Sequence, residues 1–258
     1  MTVLRVTVCE LECETDAFDN EWSRLAAHVR ERSSQLVLLP EMPFAPWFAA
    51  APHYDASTWS RAVEAHDRWM DRLHELAPAT VLGTRPVVRD GARHNEGFAW
   101  DAERRYRAAH LKSFLPNEED FWEAAWYAPG KKEFEPCDVG PARIGFQICT
   151  ELWSMEHARL YGKAGVHLIA CPRGTPHSSL DKWLAGGRTS GVVSGAFVLS
   201  SNRCHPAGAS PGLGGQGWVV GPEGEVLART SQQEPFATVD LDLSIAERAK
   251  TTYPRYAV

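Results

Sequence analysis

Residues 143–172 read RIGFQICTELWSMEHARLYGKAGVHLIACP. Two apolar runs of strand-like composition, 143–149 and 166–172, flank a segment over 154–164 with helical spacing of its apolar residues. Strand, helix and strand in such quick succession point to an α/β fold. The first run ends on Cys149, and an acid, Glu151, follows two residues later. Free cysteine is among the most buried residue types, so a packing thiol is the ordinary reading of that position. What the other strands carry at their ends decides between packing and chemistry.

Working outward, the same alternation runs the length of the chain. Residues 3–11 (VLRVTVCEL) read as a strand, and 16–33 as a helix with Trp22, Leu25, Ala26 and Val29 on one face. Residues 35–40 (QLVLLP) form a short buried strand, 55–76 a long amphipathic helix and 80–85 (TVLGTR) a further strand. A hairpin is expected through 94–100 and 105–111, turning at Asp101–Glu103. A helix over 179–195, strands at 196–201 and 236–243, and a hairpin at 217–228 complete the pattern. No internal repeat, low-complexity tract or long linker divides the chain, so one α/β domain over 1–258 is expected.

The bulk numbers exclude several classes. The chain is 44% hydrophobic and 23% charged, with mean hydropathy −0.32, as in ordinary globular proteins. Its net charge is −6 with the basic residues scattered, which argues against nucleic acid or an anionic membrane as a partner. The N-terminal stretch lacks the features of a signal peptide, and no apolar run approaches a membrane span; a cytoplasmic location is expected. Six cysteines without a CxxC pair, and no HExxH, suggest neither a disulfide scaffold nor a metal site, so no cofactor is expected.

Two other strand ends carry reactive groups. Glu41 follows QLVLLP directly, and Lys112 follows RYRAAHL just ahead of a turn-like segment. Ligands of open α/β sheets gather outside the carboxyl ends of the strands. A carboxylate, an ammonium and a thiol delivered there can act as general base, oxyanion stabiliser and nucleophile.

In their contexts these residues resemble the nitrilase superfamily of carbon–nitrogen hydrolases. LVLLPEMPF resembles the motif of the catalytic glutamate at Glu41, HLKSFLP that of the lysine at Lys112, and the opening stretch that of the cysteine, with Glu156 and Arg159 in the helix behind it. EAAWYAPG resembles the segment carrying a second active-site glutamate, which falls on Glu123; SSNR, GGQGWVVGPEGEVLA and VDLDL follow in order. The resemblance implies a four-layer αββα sandwich, assembly into homodimers or larger homo-oligomers, and hydrolysis of a small linear amide or carbamoyl compound through a thioester on Cys149. A nitrilase would use the same residues, and a non-catalytic binding protein on the same fold is the alternative outside enzymes. Lys112 is expected to favour the Cys149 thiolate, and the Thr150 amide to join it at the oxyanion.

Two departures stand out. Thr150 and Glu151 follow the cysteine where relatives often carry an aromatic and an aspartate, and Ser154–Met155 replace a frequent Phe-Pro. Relatives that hydrolyse N-carbamoyl-D-amino acids carry arginines where this chain has Leu152 and Trp153, so an uncharged or apolar acyl group is expected here. Arg173 is the residue that can substitute for that clamp. Trp47, Trp122, Trp126 and Trp153 flank the motifs and suit either pocket lining or packing. GASPG at 208–212 and GLGGQG at 212–217 match esterase and phosphate-binding patterns, but neither leads into a helix, so both read as turns.

Overall fold

The computed structural model describes residues 2–13, 18–206 and 208–257. Strand β1 (Val3–Glu12) alternates cleanly, with Leu4, Val6 and Val8 on one face and Cys9 and Leu11 on the other. β2 (Leu36–Leu38) and β3 (Thr80–Arg89) continue the sheet in parallel, followed by antiparallel β4 (Ala92–Asp101) and β5 (Arg105–Leu111). A second sheet runs through β6 (Cys137–Val139), β7 (Ala142–Phe146), β8 (Leu168–Arg173) and β9 (Phe197–Cys204), with β7, β8 and β9 parallel. β10 (Trp218–Val220) and β11 (Val226–Arg229) extend that sheet, and β12 (Phe236–Asp242) pairs antiparallel with β1. The last residues of β1 also pair with Asn202–Cys204 of β9, which links the two sheets.

The inner faces share one apolar cluster: Val6, Leu38 and Leu82 from the first sheet meet Ile144, Phe146, Leu168 and Leu199 from the second. Gly97 permits the close approach, since a Cβ there would stand 3.0 Å from the Phe146 ring. On the outer face of the first sheet, α1 (Phe18–Arg32) lays Trp22, Leu25 and Val29 over Val37, Leu39 and Val81. α2 (Ala56–Met70) starts where the Asp55 carboxylate accepts the Thr58 amide at 2.7 Å, a cap worth about 1 kcal/mol. The short α3 (Glu123–Trp126) lies between β5 and β6. α4 (Met155–Lys163) and α5 (Leu180–Ser194) cover the second sheet, where Tyr161 both donates to the Phe146 carbonyl and accepts its amide. Helix, sheet, sheet and helix give the expected four-layer sandwich.

Three boundaries differ from the sequence pattern. The helix expected over 55–76 stops at Met70, and Leu73–Leu76 form a separate 3₁₀ turn. That turn is pinned to α1 by Arg72 on Asp19 and by Trp22 Nε1 donating to Glu75. β3 runs through Pro86 to Arg89, beyond the point where a proline suggests an end. The strand expected over 143–149 ends at Phe146, so Cys149 instead opens a 3₁₀ turn, Cys149–Trp153. GLGGQG leads into β10 and no helix. Among the described residues no helix is long and apolar enough to cross a membrane.

Candidate active site

Three strand ends converge. Glu41 lies in the loop after β2, and the next residue, Met42, takes a left-handed φ of 48°. That loop is held from outside: the Met42 amide donates to Thr84 Oγ1 at 2.7 Å, and the buried Arg203 guanidinium donates to the Met42 and Ala45 carbonyls. Lys112 leaves β5 with its amide on the Asn95 carbonyl at 2.9 Å. Glu123 opens α3, whose Ala124 amide bonds the Pro116 carbonyl in the segment after Lys112. Cys149 sits at φ 49°. A side chain in this region costs of order 1 kcal/mol, and such positions persist where surrounding structure over-determines them.

The side chains of Glu41, Lys112 and Glu123 form a single buried cluster. Lys112 Nζ donates to Glu41 Oε1 at 2.7 Å and to both Glu123 oxygens at 2.8 and 2.6 Å. Asn95 Nδ2 also donates to Glu41 Oε1, at 2.8 Å. Glu41 Oε2 is buried without a hydrogen-bond partner among the described residues. One carboxylate oxygen is thus anchored twice and the other is open to receive a proton.

Burial disfavours the Lys112 ammonium, but attraction from Glu123 and then Glu41 outweighs it and holds the group charged, above its ordinary value. Burial pushes Glu123 up, against the pull of Lys112, and repulsion from Glu41 adds to the rise. Cys149 is driven well above its ordinary value, first by burial and then by Glu41, over the opposing pull of Lys112. Lys112 does favour the thiolate, as expected, but burial and Glu41 together outweigh it. Loss of solvent around the thiol is the largest cause, and the negative charge of Glu41 and Glu123 adds to it.

Cys149 and Glu123 open onto a cavity of about 340 Å³ walled by Pro116, Phe121, Thr150, Trp153, Thr175, Pro176 and Trp183, with Glu118 and Lys182 at its lip. Trp153, 46% exposed, leans on Trp183 at 5.0 Å between ring centroids. Thr150 Oγ1 donates to the Phe114 carbonyl at 2.7 Å, and its amide lies in the first turn of a helix, where no intrahelical acceptor exists.

Of the residues expected to line a pocket, Thr150 and Trp153 do so; Trp47, Trp122, Trp126 and Arg173 do not. Trp47 Nε1 donates to the Asp120 carbonyl and Trp126 Nε1 to that of Ala51, and both rings belong to an apolar cluster with Phe48 and Trp59. Trp122 is half-buried, with its amide on the Ala49 carbonyl. Arg173 is fully buried, and its three nitrogens meet Ser200 Oγ at 2.6 Å, Thr175 Oγ1 at 2.7 Å and the Gln216 carbonyl at 2.8 Å. With its donors so engaged it braces the Thr175 wall from behind, and it is not a free carboxylate clamp. Sequence reasoning missed Asn95, Phe121, Thr175 and Trp183. For Asn95 alone there is a trace of a signal, because the hairpin places it near the end of β5. Among the described residues no group of three or more His, Cys, Asp or Glu could hold a metal ion.

Comparison with known proteins places this geometry. The family model described as carbon-nitrogen hydrolase matches residues 5–251. The chain belongs to the carbon-nitrogen hydrolase family. A chloroplastic omega-amidase from Arabidopsis thaliana is 24% identical to this hydrolase, over 98% of this chain and 72% of the relative. The human omega-amidase is 25% identical over 94% and 90% of the respective chains, and a citrullinase from Francisella tularensis 24% over 79% and 75%. Among solved structures, a carbon-nitrogen hydrolase from Helicobacter pylori G27 superposes with a TM-score of 0.84 at 20% identity, over 99% of this chain and 95% of that one. An amidase from Nesterenkonia sp. AN1, in a mutant with the acetamide moiety of fluoroacetamide on its active-site cysteine, gives 0.74 at 20% identity, over 98% and 95%. The protein is thus an enzyme that cleaves carbon–nitrogen bonds.

Proposed function

We propose that this hydrolase is an amidase releasing ammonia or an amine from a small linear amide or carbamoyl compound, with Glu41, Lys112, Glu123 and Cys149 as its catalytic set. The observation that carries the reading is the open Glu41 Oε2 in a buried cluster that also holds Cys149 at the cavity floor. Glu41 accepts the Sγ proton as sulfur attacks the carbonyl carbon, so the costly resting thiolate is avoided. The developing oxyanion is met by Lys112 Nζ and the Thr150 amide. One Nζ hydrogen shared between the two Glu123 oxygens and a second on Glu41 leave the third for substrate. Such a donor is worth roughly 3–4 kcal/mol.

Glu41 then hands the proton to the leaving nitrogen, the C–N bond breaks, and a thioester remains on Cys149. Water, deprotonated by Glu41, attacks that thioester, and the acid leaves as the proton returns to sulfur. Glu123 holds Lys112 with both oxygens and supplies a polar edge to the cavity. The walls of Phe121, Trp153, Trp183 and the two prolines suit a flat or aliphatic uncharged acyl group.

The reading extends to a single-domain, cytoplasmic homo-oligomer. Tyr253 and Tyr256 stand 72% and 69% exposed on the tail, where they suit docking on a second copy. Ammonia release from a panel of neutral amides, N-carbamoyl amino acids and nitriles, joined to mass spectrometry of the enzyme, tests the proposal. Neutral amides should react fastest and leave an acyl adduct on Cys149, which Cys149→Ala abolishes. Faster turnover of nitriles or of N-carbamoyl amino acids overturns the substrate reading, and an adduct on Cys171 or Cys204 overturns the mechanism.

A further inference from the structure

Glu151 is fully buried, yet it takes no part in the steps above. Its Oε1 accepts the Ser113 amide at 2.6 Å, and its Oε2 accepts the Ile148 amide at 2.8 Å. Ser113 directly follows Lys112, and Ile148 directly precedes Cys149. His110 Nε2 faces both oxygens, at 3.0 and 2.9 Å, while its Nδ1 faces the Glu133 carbonyl at 3.2 Å.

We infer that Glu151 is a positioning residue that ties the backbone of the catalytic lysine to that of the nucleophile, through one carboxylate oxygen each. Capping alone accounts for the Ile148 contact, because an acid in a first helical turn commonly reaches back to the amide before it. It does not account for the Ser113 amide, which lies just beyond β5 of the first sheet, or for burying a histidine against the same carboxylate. Thr150 Oγ1 on the Phe114 carbonyl makes a further tie between the same two segments. The two oxygens are not interchangeable with an amide. A glutamine has one acceptor, so its NH₂ would confront either the Ser113 or the Ile148 amide, donor against donor, and one strand end would come loose. A misplacement of about 1 Å can cost a hundredfold in rate. The side chain is not among the cavity walls, so substrate binding should be spared.

The inference rests on the proposed roles of Lys112 and Cys149, and the experiment separates the two. Glu151→Asp, Glu151→Gln and Cys149→Ala are assayed with propionamide as the probe, with folded protein confirmed by near-UV circular dichroism. Aspartate keeps both acceptors but is too short to reach both amides at full strength; kcat should fall three- to tenfold. Glutamine should lower it about a hundredfold, and KM should stay within twofold in both. Should Glu151→Gln fail to fold, Glu151→Asp is judged alone by the same criterion. A wild-type kcat in the aspartate variant, or a loss confined to KM, overturns the positioning role. If Cys149→Ala stays active, the proposed mechanism itself fails; if it is inactive while Glu151→Asp behaves as wild type, only the positioning role does.

Discussion

Replacing Lys112 by methionine removes the only ammonium between two buried carboxylates. In the wild type Nζ stands 2.6–2.8 Å from three oxygens of Glu41 and Glu123, and none of the three side chains is exposed. Breaking a buried pair by removing one partner costs about 3–5 kcal/mol, because the other charge is left uncompensated. For a chain of this size 1 kcal/mol moves Tm by about 2–4 °C, so a fall of roughly 6–20 °C is expected. Loss of an oxyanion donor should lower kcat by about 10²–10³. The sign of the pH response follows from the orphaned carboxylates. Burial, with repulsion from Glu41 adding to it, raises the folded pKa of Glu123 above the unfolded one, so the destabilisation is full at high pH and eases as pH falls through the folded value. Differential scanning calorimetry between pH 5 and 8, beside steady-state kinetics, measures both effects. In the double variant Lys112→Met/Glu123→Gln, Tm should recover in part while activity does not. A Tm within 2 °C of wild type at pH 8, or a kcat loss under tenfold, would refute the reasoning.

Asn95→Ala removes one of the two donors on Glu41 Oε1 and should lower kcat at least tenfold, since a hydrogen bond to a charged group is worth about 1.5–3 kcal/mol; unchanged kinetics would show that the lysine alone orients the base. Gly186→Ala would set a Cβ 2.9 Å from the Trp153 ring, so KM and the ranking of acyl groups should shift while kcat on the smallest amides holds; an identical ranking would put Trp153 outside substrate recognition. His66 is fully buried with Nδ1 on the Ala62 carbonyl, and burial lowers its pKa from 6.5 to about 3. Because the unfolded chain takes up that proton first, this histidine should erode stability by up to about 1.4 kcal/mol per pH unit from near 6.5 down to about 3. Urea unfolding of wild type and His66→Gln at pH 7, 6 and 5 should show a shallower loss in the variant, and parallel losses would contradict the assignment. Light scattering at micromolar concentration should give an oligomer mass; a monomer would count against the docking role of the C-terminal tyrosines.

Element type was legible wherever the apolar period was strong. The 2-residue alternation of β1 and the helical face of Trp22, Leu25 and Val29 appear in the structure as read, because burial of one face decides both. Boundaries failed where a distant partner intervened. The 3₁₀ turn at Leu73–Leu76 answers to α1 through Asp19 and Trp22, more than fifty residues away, and Pro86 is tolerated inside β3 by its pairing with β4.

That Glu41, Lys112, Glu123 and Cys149 come together was legible because each sits in a motif of local residues, Glu41, Lys112 and Cys149 near the end of a strand, and strand ends put reactive groups on one side of a sheet. Their electrostatics were not. Lys112 pulls toward the thiolate as expected, but burial of the thiol and the approach of Glu41 outweigh it, and only packing supplies both and brings Glu41 and Glu123 onto the same Nζ. The cavity walls were half legible: tryptophans near the motifs were visible, but side-chain direction divided Trp153, which faces the cavity, from Trp47 and Trp126, whose indole N–H groups find carbonyls elsewhere. The same division separates Arg173 from a substrate clamp and joins Glu151 to two strand ends. Local order along the chain determined which groups reach the site; the donors and acceptors that tertiary packing sets around each one decided what it is free to do.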